Sequence, residues 1–111
     1  MDKYTELSNF EINKKVAEKL GEEWFVTTTV WDELVVMVGG KCFKPCDNPS
    51  DAMPIIIENL ISLMADMSDG RGSTWWCASD ISNSFTSNYK SNPLRAAMEV
   101  FLMIKDAENE G

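Results

Sequence analysis

The segment 93–107 constrains the fold of this chain more than any other part of the sequence. Apolar residues cover nearly the whole circumference of a helix drawn through it: Leu94, Ala96, Ala97, Met98, Val100, Phe101, Leu102, Met103 and Ile104. A helix that is apolar all round must be covered on several sides. The pattern therefore predicts a helix over 93–107 that is either the central element of the core or part of an interface between chains.

The start of the chain carries the clearest helix signal. Ser8 and Glu11 have the spacing of a capping box, and Ile12, Val16 and Leu20 then recur at helical spacing. Gly21 supplies a residue that tolerates left-handed geometry at the end. These features predict a helix over 9–20 with one buried face.

Two Asn-Pro pairs, at 48–49 and 92–93, predict two further helix starts. Asparagine is a strong N-cap, and proline is tolerated in the first turn, where its missing N–H has no intrahelical partner. The shared chemistry accounts for the similarity without a duplication. The first of these helices is expected over about 50–58, with Asn59 as its left-handed cap. Because Pro54 would lose a helical hydrogen bond, this helix is expected to be short, to be kinked or to start late.

Aromatic and β-branched residues predict four strands. Two lie at about 24–30 and 34–38, and the second of these, apolar at every position, indicates a strand covered on both faces. A second hairpin over 60–67 and 73–79 is expected around Asp69-Gly70, with apolar residues on both sides of its first strand. The polar segment 80–92 is predicted to be an edge strand or a long loop.

These elements predict a single α+β domain over residues 1–111. An antiparallel sheet of about four strands would be covered by helices on both faces, in the order α-β-β-α-β-β-α.

Composition limits the function classes. The chain has a net charge of −8 and no histidine, so the commonest general base near neutral pH is missing. It also lacks a glycine-rich phosphate loop with its lysine, and no catalytic residue is assigned. Its acidic balance disfavours nucleic acids and anionic membranes. No signal segment or membrane span is predicted, so a cytoplasmic location is expected.

The three cysteines, Cys42, Cys46 and Cys77, cannot all pair within one chain, and reduced thiols are expected. A metal site formed by them with Asp47 is a weaker alternative, because the spacing is poor and histidine is absent. Small buried core residues are the favoured interpretation, with no metal and no cofactor.

Three strings, LSNFEINKKVAEKLG, CDNPSDAMPIIIENLISL and NPLRAAMEVFLM, resemble in this order the NinX-like family of small proteins encoded by tailed phages and prophages. The strings cover less than half of the chain, and all are helix starts or core segments. The resemblance implies a phage or mobile-element accessory protein acting in a bacterial cytoplasm. It carries no catalytic or binding residues over to this chain.

A non-catalytic protein-binding module acting on a host protein is therefore the leading prediction. Its candidate anchors are the aromatic residues Trp75, Trp76, Phe85 and Tyr89, and each of them has core packing as an alternative. The alternative functions are single-stranded nucleic-acid binding by aromatic stacking, near the cations Arg71 and Lys90, and an acidic DNA-mimic inhibitor.

Self-association is a separate expectation. The apolar helix 93–107 is compatible with a homodimer, as are the methionines at its edges and in the second hairpin, Met64, Met67, Met98 and Met103.

Overall fold

The computed structural model describes residues 3–66 and 74–110, apart from the side chain of Glu110. Within these ranges the elements are α1 (Asn9–Leu20), β1 (Trp24–Thr28), β2 (Leu34–Val38), β3 (Lys41–Cys42), α2 (Pro49–Glu58), β4 (Ser62–Asp66), β5 (Trp75–Ser79) and α3 (Pro93–Glu110). The predicted α+β class is confirmed. The predicted order of helices and strands is also found, with the short strand β3 added.

Helix α3 is the centre of the core. Residues 96–98 and 100–102 are at most 1% exposed. The helix packs against α1, against α2 and against both strands β4 and β5. Its all-round apolar pattern is thus accounted for by contacts within one chain. Self-association through this helix stays a prediction, and Met67 lies outside the described residues.

The strands form two sheets, which differs from the single sheet of about four strands expected from the sequence. The first sheet has the order β1-β2-β3 and the second pairs β4 with β5, all antiparallel. Helix α1 contacts β2 and α3, and α3 contacts β5. Helices α1 and α3 therefore lie between the two sheets, with α1 against the first sheet and α3 against the second.

The predicted helix starts are confirmed by their hydrogen bonds. Glu11 N–H donates to Ser8 Oγ at 3.1 Å, and Ser8 N–H donates to Glu11 Oε1 at 3.3 Å, which completes the capping box. Ser50 N–H donates to Asn48 Oδ1 at 2.9 Å at the start of α2. Pro54 lies inside this helix, which is ten residues long and starts at Pro49.

The end of α2 differs from the prediction. Asn59 has φ −98°, so it is not left-handed, whereas Leu60 has φ +55°. Ile61 N–H donates to Ile56 O at 3.0 Å and Leu60 N–H to Ile57 O at 3.3 Å, the two bonds of a Schellman motif with Leu60 at its left-handed position. The Asn59 side chain donates instead to Ile55 O at 2.8 Å.

The segment 80–92 combines both predicted forms, because it is largely irregular but touches β5 at two bridges. Thr86 lies opposite Ser79 and Lys90 opposite Trp76. Lys90 N–H donates to Trp76 O at 2.8 Å, and Trp76 N–H donates to Lys90 O at 2.6 Å. The predicted Asp69-Gly70 turn lies outside the described residues.

Candidate protein-binding surface

The β1–β2 hairpin exposes a dense group of large apolar side chains. We define its apolar surface as Phe25, Val26, Val30, Trp31 and Leu34, all of which are exposed. Trp31 is 85% exposed and Val30 91%, and both lie in the turn between the two strands. Side chains alternate along each strand, so Val26 and Leu34 lie on one face of the hairpin and Phe25 on the other. Groups of exposed large apolar side chains often mark interaction sites.

The turn that carries Trp31 is fixed by its own hydrogen bonds. Thr29 Oγ1 accepts from Trp31 N–H at 3.2 Å and from Glu33 N–H at 3.3 Å. Asp32 N–H donates to Thr29 O at 3.0 Å, and Thr29 N–H donates to Glu33 O at 2.9 Å. Asp32 adopts φ +60°, which its residue type tolerates. Trp31 therefore stands on an ordered backbone, which reduces the entropy lost when it is buried by a partner.

The end of the hairpin that lies away from the turn is anchored in the core. Val36 is buried in the main core, and Trp24 and Val38, which face each other across the two strands, pack against the same core. The distal half of the hairpin, from Val26 to Leu34, carries most of the exposed apolar residues. The hairpin is thus held by the core at one end and presents apolar side chains at the other.

The structure separates the four aromatic residues predicted from the sequence. Trp75 is 41% exposed and Tyr89 58%, whereas Trp76 is partly buried and Phe85 packs against the main core. Asp66, the cross-strand partner of Trp75, is hydrogen bonded to the Tyr89 hydroxyl. The negative charge of Asp66, with this bond, raises the pKa of Tyr89. Trp75 and Tyr89 therefore share one outer face of β4–β5, and their role as anchors stays a prediction.

Trp31 was not among the anchors predicted from the sequence, although the sequence contained a signal that it is exposed. The predicted strands, 24–30 and 34–38, leave Trp31, Asp32 and Glu33 as the connecting turn. Connecting turns usually run over the protein surface, so this placement indicated an exposed tryptophan.

Lys90, one of the two cations named for nucleic-acid stacking, is engaged inside the protein. Its ammonium lies 3.4 Å from Glu99 Oε2, its side chain is 15% exposed, and it also donates to the Thr5 hydroxyl. Arg71, the other cation, lies outside the described residues. Lys90 therefore offers little positive charge to a nucleic acid bound next to Trp75 and Tyr89.

The cysteines do not converge on a site. Cys46 is fully buried, Cys77 is partly buried and Cys42 is exposed. Burial raises the pKa of the Cys46 thiol to about 12. Within residues 3–66 and 74–110, no group of three or more His, Cys, Asp or Glu lies together as metal ligands would. In the same part of the chain, no helix has the length and apolar character that crossing a bilayer requires.

The Cys46 peptide instead joins three segments of the fold. Its N–H donates to the buried Asn13 Oδ1 at 3.0 Å, and its carbonyl accepts from Asn92 Nδ2 at 2.6 Å. Asn92 Oδ1 meanwhile caps α3, accepting from Leu94 N–H at 2.9 Å and Arg95 N–H at 3.3 Å. The polar groups around Cys46 are therefore hydrogen bonded to one another, and these bonds stabilise the fold.

Together, these features define a small acidic α+β protein built around one central helix, with an apolar hairpin projecting from its core. The chain belongs to the family described as bacteriophage P22 NinX, whose model matches residues 3–105. This match covers most of the chain and supports the resemblance carried by the three sequence strings. No curated protein and no solved structure matches the chain.

Proposed function

We propose that this phage accessory protein is a non-catalytic binding module that attaches to a host protein through the apolar surface of the β1–β2 hairpin. The observation that carries the proposal is the exposure of Trp31 on a turn fixed by Thr29. Exposed aromatic residues dominate the binding energy of many interfaces, and truncating one typically weakens binding by about 2 kcal/mol or more.

The surrounding side chains suit an interface. Leu34 lies on the same face of the strands as Val26, Phe25 lies on the opposite face, and exposed polar residues such as Thr27 and Asp32 border them. A central apolar group within a polar rim is the usual anatomy of a protein–protein contact. The net charge of −8 favours a basic partner, which it attracts by electrostatic steering.

The face formed by Trp75 and Tyr89 is a second candidate for the same function. Its two aromatic residues are less exposed than Trp31, and the Tyr89 hydroxyl is already bonded to Asp66. The proposal therefore assigns the main anchor to Trp31 and a secondary role to this face.

Affinity capture from a bacterial host lysate tests the proposal. The immobilised wild-type chain is compared with Trp31→Ala, with the double variant Trp75→Ala/Tyr89→Ala, and with Ile81→Ala as a control at an exposed apolar residue outside both surfaces. Proteins retained by the wild type are identified by mass spectrometry, and the binding of the purified partner is then measured by calorimetry.

We expect one host protein to be retained by the wild type and by Ile81→Ala, and to bind Trp31→Ala at least about thirtyfold more weakly. Equal retention by Trp31→Ala, with loss in the double variant, would move the anchor to the Trp75–Tyr89 face. Retention of nothing but nucleic acid would exclude protein binding.

A further inference from the structure

Strand β1 is an open edge of the first sheet. In the order β1-β2-β3 it has, among the residues that the structure describes, a strand partner on one side only. Thr29 N–H donates to Glu33 O at one end of the hairpin, and Gly39 N–H donates to Glu23 O at the other. Because backbone groups alternate along an antiparallel strand, odd-numbered residues of β1 face β2, while the N–H and C=O groups of Trp24, Val26 and Thr28 point away from it.

This edge lacks the features that usually protect a strand from pairing. No charged residue and no proline occurs between Trp24 and Trp31, and the whole stretch is rich in aromatic and β-branched residues. Soluble proteins normally guard such edges with lysine, proline, bulges or a short strand. By contrast, β3 spans only Lys41–Cys42, and β5 is flanked by the bridges to Thr86 and Lys90.

Exposed acidic residues lie at both ends of the edge. Glu22 and Glu23 precede β1, and Asp32 follows Trp31, all with exposed side chains. The two glutamates also line an open depression with Trp24 and Phe25, where a cationic side chain could be placed between carboxylates and aromatic rings. An uncharged strand with acidic ends is complementary to a strand with basic ends.

A second copy of this chain fits the edge poorly. Antiparallel pairing of two β1 strands would bring Glu22 and Glu23 of one copy towards Asp32 of the other. Like charges opposite each other destabilise a sheet, and each copy carries a net charge of −8.

We propose that β1 binds an extended segment of a partner protein as an added strand, and that this segment has lysine or arginine at both ends of a short apolar, β-branched centre. The proposal rests on the proposed function and deepens it. The added strand supplies the backbone hydrogen bonds of the edge, and its cationic ends meet Glu22, Glu23 and Asp32. Trp31 then lies at one end of the added strand and anchors the rest of the partner.

A labelled peptide, Lys-Lys-Val-Thr-Ile-Thr-Val-Lys-Lys, is the probe. Its binding to the full chain is measured by fluorescence anisotropy, beside a peptide in which glutamate replaces every lysine. Saturable binding of the lysine peptide is expected, with binding of the glutamate peptide weaker by at least about tenfold. No saturable binding of the lysine peptide, or equal binding of both, overturns the proposal.

Variants of Val26 test whether the peptide adds to the edge. Val26→Pro removes an N–H that β2 does not use, a place where edge strands tolerate proline. Val26→Thr keeps the N–H and the side-chain shape. Val26→Thr therefore measures the effect of the side chain alone, and we expect Val26→Pro to bind the peptide about tenfold or more weakly than Val26→Thr does. Equal binding by Val26→Pro and Val26→Thr overturns the proposal.

Two methylated peptides keep the test independent of how Val26→Pro folds. Methylating one alternating set of peptide amides blocks the N–H groups that face β1, and methylating the other set leaves them intact. One methylated peptide should bind and the other should not, and equal binding of both contradicts strand addition.

The remaining outcomes separate this proposal from the proposed function. A dimer of the wild-type chain that Val26→Pro dissociates would make a second copy the occupant of the edge and would overturn strand addition by a partner. A host protein captured equally by the wild type and Val26→Pro, but lost with Trp31→Ala, would leave the binding function intact and refute strand addition.

Discussion

Arg95 and Glu99 form a buried ion pair one helical turn apart in α3, with Arg95 Nε 2.6 Å from Glu99 Oε2. Glu99 is fully buried, and Lys90 lies 3.4 Å from the same carboxylate oxygen. The Arg95 guanidinium also donates to the carbonyls of Tyr4 and Leu7, at 2.8 and 2.7 Å. The pair therefore holds the N-terminal segment against the central helix.

Breaking this pair should strongly destabilise the protein. Arg95→Ala removes one partner and leaves buried acceptors behind, so we expect the free energy of unfolding to fall by about 3–5 kcal/mol. Urea unfolding followed by circular dichroism measures the change. Replacing both residues, as Arg95→Met/Glu99→Leu, should cost less than the sum of the losses in Arg95→Met and Glu99→Leu, and an additive loss would contradict the described pairing.

The two Asn-Pro helix starts form a matched pair of sites. Asn48→Ala removes one cap and should cost about 1 kcal/mol. Asn92→Ala removes the cap of α3 and also the bond from Asn92 Nδ2 to the Cys46 carbonyl, so about 1–3 kcal/mol should be added to that loss. Equal losses in thermal unfolding would contradict a second structural role for Asn92.

The left-handed position after α2 can be relieved by glycine. Leu60 has φ +55° and an exposed side chain, and a left-handed conformation costs a residue with a Cβ atom about 1–2 kcal/mol. Leu60→Gly should therefore raise the free energy of unfolding by about 0.5–1 kcal/mol, after the greater chain entropy of glycine is subtracted. Asn59→Gly is the control, and it should give no gain because φ of Asn59 is −98°.

Asp106 should contribute to stability in a pH-dependent manner. Burial acts to raise its pKa, but the bond from the Tyr4 hydroxyl and the ion pair with Lys3, at 3.0 Å, outweigh this and lower the pKa. A carboxyl with a lowered folded-state pKa stabilises the fold above its unfolded pKa of about 3.9 and loses that contribution as the pH falls through the folded pKa.

Asp106→Asn should consequently destabilise the chain at pH 7 and have a smaller effect in strongly acidic solution. Urea unfolding of both proteins across this range measures the difference. A stability difference that stays constant with pH would contradict the assigned interactions of Asp106.

Local chemistry made much of this fold predictable from the sequence. Ser8, Asn48 and Asn92 act through neighbours in the chain, so their caps could be recognised without knowledge of the tertiary structure. The all-round apolar pattern of α3 likewise indicated a central helix. The side chains of Trp75 and Trp76 were expected on opposite sides of a strand, and they differ in burial accordingly.

Long-range relationships were not predictable from the sequence. The separation into two sheets depends on which strands pair, and no local pattern encodes that choice. The bonds from Arg95 to Tyr4 and Leu7 join residues far apart in the chain. Asparagine prefers the left-handed conformation more than leucine does, which favoured Asn59 in the prediction. The Schellman bonds at the end of α2 are instead donated by Leu60 and Ile61, so the left-handed position falls on Leu60.

Site-specific photo-cross-linking in bacterial cells tests the central claim most directly. Benzoyl-phenylalanine replaces Trp31 in one variant and Ile81 in a control, the cells are irradiated, and cross-linked species are identified by mass spectrometry. One host protein is expected to be joined at position 31 and not at position 81. Absence of any protein cross-link at position 31, with cross-links to a host protein at position 75 or 89 in parallel variants, would contradict it.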